Sequence, residues 1–163
     1  MPVISSAIIS VFDKRGLTAF VSELHKMGVS IYSTGGTHKM ISSEGISAVK
    51  IEDYTGFPEM MDGRVKTMHP KIAGGILACR NDEKHMKSAR DHGIKMFDMV
   101  VVNLYPFKNT VEKGGEMADI IENIDIGGPT LIRSAAKNFK DVVVITSHED
   151  YAAVIEEMKN NNG

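Results

Sequence analysis

The chain has 163 residues, 42% of them hydrophobic, and its 19 lysines and arginines nearly balance its 21 aspartates and glutamates. That length suits one domain able to bury roughly 70% of its unfolded surface, and the lone Cys79 leaves neither an internal disulfide nor a CxxC metal site. A net charge of −2 gives no general attraction to nucleic acid or to an anionic membrane surface, so neither is expected as a partner, while a local anion site stays open.

The opening, MPVISSAIISVFDKRG, lacks a basic segment leading into a long apolar core, and no apolar run approaches the ~20 residues of a membrane span. The expectation is a cytoplasmic protein. Along the chain, apolar runs alternate with amphipathic segments, the pattern of layered α/β domains. A first buried strand is expected at Ala7–Phe12. A helix follows over LTAFVSELHKMG, with Leu17, Phe20, Val21, Leu24 and Met27 at helical spacing and Gly28 as its cap. VSIYS reads as a second strand, TGGT opens a helix running to about Ser43, and AVKI reads as a third strand.

From Glu52 to Pro70 the periodicity fails, with Gly56, Pro58, Gly63 and Pro70 as breakers. Loops of that length within compact domains are usually functional or disordered. GGILA comes next, then a helix around Asp82–His92, then the clearest buried strand, Met99–Tyr105. EMADIIENI and the run after Pro129 read as helices, DVVVIT as the last strand, and a final helix starts near Glu149. The pattern predicts one three-layer α/β/α domain with a mostly parallel sheet.

In such sheets, ligands bind beyond the carboxyl ends of the strands. Three expected strand ends carry polar motifs. Ser33, Thr34, Gly35, Gly36 and Thr37 form a strand-to-helix turn whose N–H groups and hydroxyls suit a phosphate; an ordinary glycine-rich turn is the alternative. Ser10 and Lys14 close the first strand and can share that anion, or Lys14 is a solvated surface lysine. Asn103 and Tyr105 end the strongest strand, with Tyr105 alternatively packing at a rim. The motif fits neither GxGxxG nor a P-loop, so a dinucleotide or P-loop nucleotide is not expected.

Two further clusters complete the set. DGRVKTMHP places Arg64, Lys66, Thr67 and His69 in the irregular segment, and cations there suit a phosphorylated substrate or a developing oxyanion. A solvated basic loop is the alternative. His69 has no partner at ligand spacing, so no metal is expected. In ENIDIGGPTLIRSAAKN, Gly127 and Gly128 precede Pro129 at a helix start and leave N–H groups free for an oxyanion. Arg133 and Lys137 follow on one helix face. A lysine in a dry pocket beside Asp125 suits proton transfer; a capped helix with an exposed ion pair is the plain alternative.

Taken in order, SVFDK, STGGT, TGFPEMMDGRVKTMHP, GGIL, VVNLYPF and ENIDIGGPTLIRSAAKN resemble the inosine monophosphate cyclohydrolase domain of bifunctional purine-biosynthesis enzymes, over essentially the whole chain. The resemblance implies a methylglyoxal-synthase-like fold and a cofactor-free dehydrative ring closure of a formamido-imidazole carboxamide ribotide. It implies Lys66 at the formyl oxygen, and Tyr105, Asp125 and Lys137 on the carboxamide side, with Lys137 as proton carrier. Phe12, Asp13, Lys14, Ser33 to Thr37, Arg64, Val65, Lys66, Thr67, Val102, Asn103, Asp125 and Ile126 would line the nucleotide site. It implies a homodimer and, across residues 1–163, a cyclohydrolase domain whose transformylase partner domain is absent from this chain.

The sequence departs from that family at Phe12, where a smaller, hydroxyl-bearing or Tyr side chain is usual. Ala73 and Phe139 stand near positions where many members carry histidine. The alternatives from other classes are a non-catalytic effector-binding module of the same fold and methylglyoxal synthase itself. The ending EEMKNNNG sets the expectation of a piece of a longer enzyme rather than a stand-alone one.

Overall fold

The computed structural model describes residues 3–163. Its centre is a five-stranded sheet in the order β3-β2-β1-β4-β5, with β1 Ser6–Val11, β2 Ser30–Ser33, β3 Val49–Lys50, β4 Met99–Asn103 and β5 Val143–Ile145. All four strand pairings are parallel, so the sheet expected to be mostly parallel is parallel throughout. A parallel sheet needs helices on both faces, which is why Ala7–Ile9 of β1 and Met99–Val102 of β4 are apolar at every position rather than at alternate ones.

Successive side chains of β1 and β4 enter opposite layers. Ala7, Ile9, Val11, Met99 and Val101 join a core closed by α1 (Leu17–Lys26), α2 (Gly35–Ser43) and α9 (Tyr151–Asn160). Ile8, Val100 and Val102 join a second core closed by α3 (Ile51–Thr55), α4 (Pro70–Leu77) and α8 (Gly127–Lys137). Ile8 and Ile9 are fully shielded from solvent, each worth about 1.5–3 kcal/mol of apolar burial. The three-layer expectation holds, and α5 (Glu83–Asp91) lies close to the helix expected around Asp82–His92.

Several boundaries differ from the sequence expectation. Ile51 starts α3 instead of ending the third strand, because its side chain is fully buried beneath the sheet. GGIL lies within α4, which Pro70 opens at its first turn and His69 caps by accepting from the Lys71 N–H at 3.1 Å. Two adjacent glycines weaken a helix intrinsically, and here packing overrides propensity. Gly75 lies against the Lys95 carbonyl, and an added Cβ would stand 2.7 Å from Phe97 Cδ2. The Phe97 N–H also donates to the Gly75 carbonyl at 3.0 Å.

β4 stops at Asn103, two residues short of Tyr105. Two short helices, α6 (Phe107–Glu112) and α7 (Met117–Glu122), cross the surface after it without a buried residue. In α6 only Phe107 and Val111 stand at helical spacing, and both are exposed. α8 begins at Gly127 rather than after Pro129, and α9 at Tyr151 after a 3₁₀ turn over His148–Asp150. No described helix is long and apolar enough to cross a membrane.

The fit at Gly75 sets a stability test. Gly75→Ala overpacks an immobile backbone contact and should lower the unfolding free energy by about 2–3 kcal/mol. Gly36→Ala, with nothing within 4 Å of its added methyl, should be neutral or stabilising. Urea unfolding of the two variants checks the difference.

Candidate functional site

From β1 the chain runs outward through β2 to β3 on one side, while β4 and β5 fill the other. The order therefore reverses between β1 and β4, and the crevice beyond their carboxyl ends is where ligands of open α/β sheets bind. A cleft of about 740 Å³ lies there, lined from β1 and its following loop by Ser10, Phe12 and Lys14 and from the β4 end by Asn103 and Tyr105.

The two strand ends are cross-linked by one side chain. Asn103 Oδ1 accepts from the N–H groups of Phe12 (2.7 Å) and Asp13 (2.8 Å), and its Nδ2 donates to the Asp13 carbonyl (2.9 Å). Those three bonds fix the path of the loop after β1. Next to it, Thr37 Oγ1 accepts from the Val11 N–H at 3.2 Å and donates to the Val11 carbonyl at 3.0 Å. The start of α2 is thereby tied to the end of β1.

α2 presents bare N–H groups to this cleft. Its first backbone bond runs from the His38 N–H to the Thr34 carbonyl, and Thr34 provides no side-chain cap. The N–H groups of Gly35, Gly36 and Thr37 are consequently free for an anion, with the helix dipole adding in the same direction. Thr34, Gly35, Gly36 and Thr37 all line the cleft. Lys66 reaches the same helix start: a Cβ placed on Gly35 would stand 3.7 Å from its Nζ. Lys14 Nζ rests on the Phe12 carbonyl at 3.2 Å.

The opposite wall comes from α8 and its approach. Asp125 Oδ1 accepts from the Gly128 N–H at 2.8 Å, so that N–H, expected to be free for an oxyanion, is instead taken by the capping carboxylate, which is held at the cleft beside Ile126 and Gly127. The Thr67 hydroxyl packs against Gly127, where a Cβ would stand 2.9 Å from its oxygen. The segment carrying Arg64, Val65, Lys66 and Thr67 thus bridges both helix starts. Tyr105 leans on Phe12 with ring centroids 5.2 Å apart at 59°, and both rings are exposed at the cleft. This pair offers an aromatic surface to a planar ligand. Among the described residues, no three His, Cys, Asp or Glu side chains gather as a metal site would require.

Four expected site residues lie elsewhere. Val102 is buried in the core under α8, and Ser33 turns inward to donate to the Ile9 carbonyl at 2.7 Å. Asp13 faces a neighbouring groove with Arg15, Ser147 and His148. Lys137 is exposed at the last position of α8. Ten residues from Gly127 at 1.5 Å each put it roughly 15 Å along the helix axis from the cleft. Arg133, on the same face, is likewise outside it.

Conversely, α7 supplies the cleft residues Ile121 and Glu122, which the sequence did not single out, the turn after it adds Ile124, and the 60s segment adds Asp62, Gly63 and Met68. Glu122 forms an ion pair with Arg64. Its carboxyl is held below the usual range by the hydrogen bond from that guanidinium, which in turn is raised by Glu122. No sequence signal pairs residues 58 positions apart, since a glutamate ending an amphipathic helix is ordinary.

Residues 16–130 match the model of the MGS-like domain family. The chain is 56% identical over 163 residues to the bifunctional purine biosynthesis protein PurH of Chlorobium chlorochromatii, covering 99% of this chain and 31% of that protein. It is 53% identical over 164 residues to PurH of Neisseria gonorrhoeae, again with 31% of the relative covered. The chain therefore spans about a third of the length of these relatives. The crystal structure of ForH superposes with a TM-score of 0.83 at 31% identity, covering 98% of this chain and 80% of that one.

The Asp13 loop gives a pH test. The Arg15 guanidinium bonds the Asp13 carboxylate through Nε at 2.9 Å and holds its pKa down to about 2, from an ordinary 3.8. A depressed carboxyl contributes its ion pair in full above pH 3.8 and loses it as the pH falls through 2. Carboxyl-carbon NMR should find Asp13 titrating near 2 in wild type. In Arg15→Ala it should move back up toward the ordinary value.

Proposed function

The chain belongs to the MGS-like domain family, and on that premise we propose that it acts in purine biosynthesis as an inosine monophosphate cyclohydrolase. The observation that carries the proposal is the convergence of two helix starts, Lys66, Asp125 and the Phe12–Tyr105 pair on one cleft at the sheet's switch point. The name of the PurH relatives supports the pathway, and the resemblance of the six motifs supports the step.

In the proposed reaction the substrate phosphate rests on the N–H groups of α2, and the imidazole lies along the aromatic pair. The carboxamide nitrogen attacks the formyl carbon, forming the C–N bond while that nitrogen loses a proton and the formyl oxygen gains one. The resulting hydroxyl then leaves as water, and the formamido nitrogen gives up its proton to complete the purine. Lys66 stabilises the charge growing on the formyl oxygen. Asp125 and Tyr105 serve the carboxamide proton, with Asp125 fixed in place by the Gly128 N–H.

Lys137 stands outside the cleft of its own chain, so its part in the relay, which comes from the resemblance, requires a second copy. The proposal includes such a homodimer. It also includes a longer enzyme whose remaining portion transfers the formyl group, in keeping with the 31% of the relatives that the chain covers.

The test is the appearance of purine absorbance when the purified chain meets the formamido-imidazole carboxamide ribotide. Lys66→Ala and Asp125→Asn should each lose about 10²-fold or more in kcat, the size expected of acid–base groups. Mixing inactive Lys66→Ala with inactive Lys137→Ala should restore turnover if Lys137 acts across a dimer. Full activity of Lys137→Ala would remove that residue from the mechanism. Turnover of dihydroxyacetone phosphate with none of the ribotide would replace the proposal by methylglyoxal synthase.

A further inference from the structure

Lys66 reaches the cleft from a turn with a demanding backbone. Met61, Asp62 and Gly63 have φ values of 53°, 53° and 90°, three successive residues in the left-handed half that L side chains disfavour. The turn is pinned at its base by Met60 and Val65, which exchange N–H···O bonds of 3.3 and 3.4 Å, and by the Gly63 N–H donating to the Met60 carbonyl at 3.1 Å. Backbone of this kind persists only where its surroundings over-determine it, and it gathers at functional sites.

What the turn achieves is visible above Gly63. At the place a Cβ would occupy, Lys66 Nζ lies 2.6 Å away and Glu59 Oε1 2.7 Å away. Glycine at this position lets the lysine stem fold back over the turn to meet the carboxylate. The resulting ion pair measures 3.2 Å, with the two side chains only 31% and 34% exposed. From that perch the ammonium faces Gly35 at the start of α2. A cation there is opposed by the positive end of the helix dipole, and a four-carbon stem is free to swing into solvent. Glu59 is the carboxylate that counters both tendencies, and it does so from behind, being absent from the cleft lining.

We infer that Glu59 is the positioning residue of Lys66: its carboxylate, across the Cβ-free face of Gly63, holds the ammonium against the start of α2. An anionic ligand group or a developing oxyanion meets the lysine at that point. The catalytic consequence rests on the cyclohydrolase proposal; the placement of Lys66 does not.

Two measurements on the full chain test this. In lysine-labelled protein, the Lys66 side-chain resonance, assigned by its loss in Lys66→Arg, should move in Glu59→Gln to the position of solvated lysines while the other lysines stay put. Gly63→Ala, which puts a methyl where the stem crosses, should give the same shift. A Lys66 resonance unmoved in both variants overturns the inference. In the ring-closure assay, Glu59→Gln should lower kcat about ten-fold with KM little changed. Glu59→Asp should recover part of that loss, and in a Lys66→Ala background Glu59→Gln should change nothing further. Wild-type kcat in Glu59→Gln, or an undiminished loss in the Lys66→Ala background, would refute the catalytic consequence. If the wild-type chain closes no ring at all, the cyclohydrolase proposal falls, and the lysine resonance still decides where Lys66 is held.

Discussion

The pairing of β1 with β4 is the constraint on which the rest depends. Ser10 sits opposite Val102 and Val11 opposite Asn103, so both strands end at the same height in the middle of the sheet. Their apolar side chains fill a core on each face, and no register slip is possible without turning Ile8 and Val100 into the wrong layer. Once that register is set, the polar residues that follow each strand have one place to go. Asn103 then ties them together with three bonds to the loop after β1.

The cleft above this pair is built chiefly from backbone. The start of α2 offers its unpartnered N–H groups, and the start of α8 is fixed by the Asp125 cap. The left-handed turn at 61–63 delivers Lys66 between them. Backbone donors on rigid elements lose little reorganisation when a charge arrives, which is why such sites stabilise anions effectively. Two of its cations are held in ion pairs, Lys66 with Glu59 and Arg64 with Glu122, while Lys14 rests on the Phe12 carbonyl. Each cation therefore has a defined resting place, and the Arg64–Glu122 pair also joins the 60s segment to α7, an element with no buried residue of its own.

Legibility in the sequence followed the range of the forces involved. The buried strands and α1 were readable because their apolar periodicity is local. The TGGT and DIGGP helix starts were readable for the same reason, since glycine and proline punctuate the chain at the point where they act. α4 was not, because GG argues against a helix until Gly75 is seen pressed against the Lys95 carbonyl. Ser33 and Val102 were drawn into the expected site by their neighbours in the motifs, yet alternation along the strand turns both inward. Glu122 and Glu59 went unmarked, because their partners are chosen by how loops fold back and not by spacing along a helix.

The sequence by itself determined the layered α/β class, the parallel character of the central strands and the segments that carry polar groups to a strand end, since each follows from short-range pattern and residue chemistry. Tertiary structure alone decided which of those groups meet. It brought Lys66 to α2 and Asp125 to the cleft, and it left Lys137 roughly 15 Å down its helix. Helix geometry makes that separation unavoidable: the last residue of an eleven-residue helix lies about three turns from the first and cannot share a pocket with it.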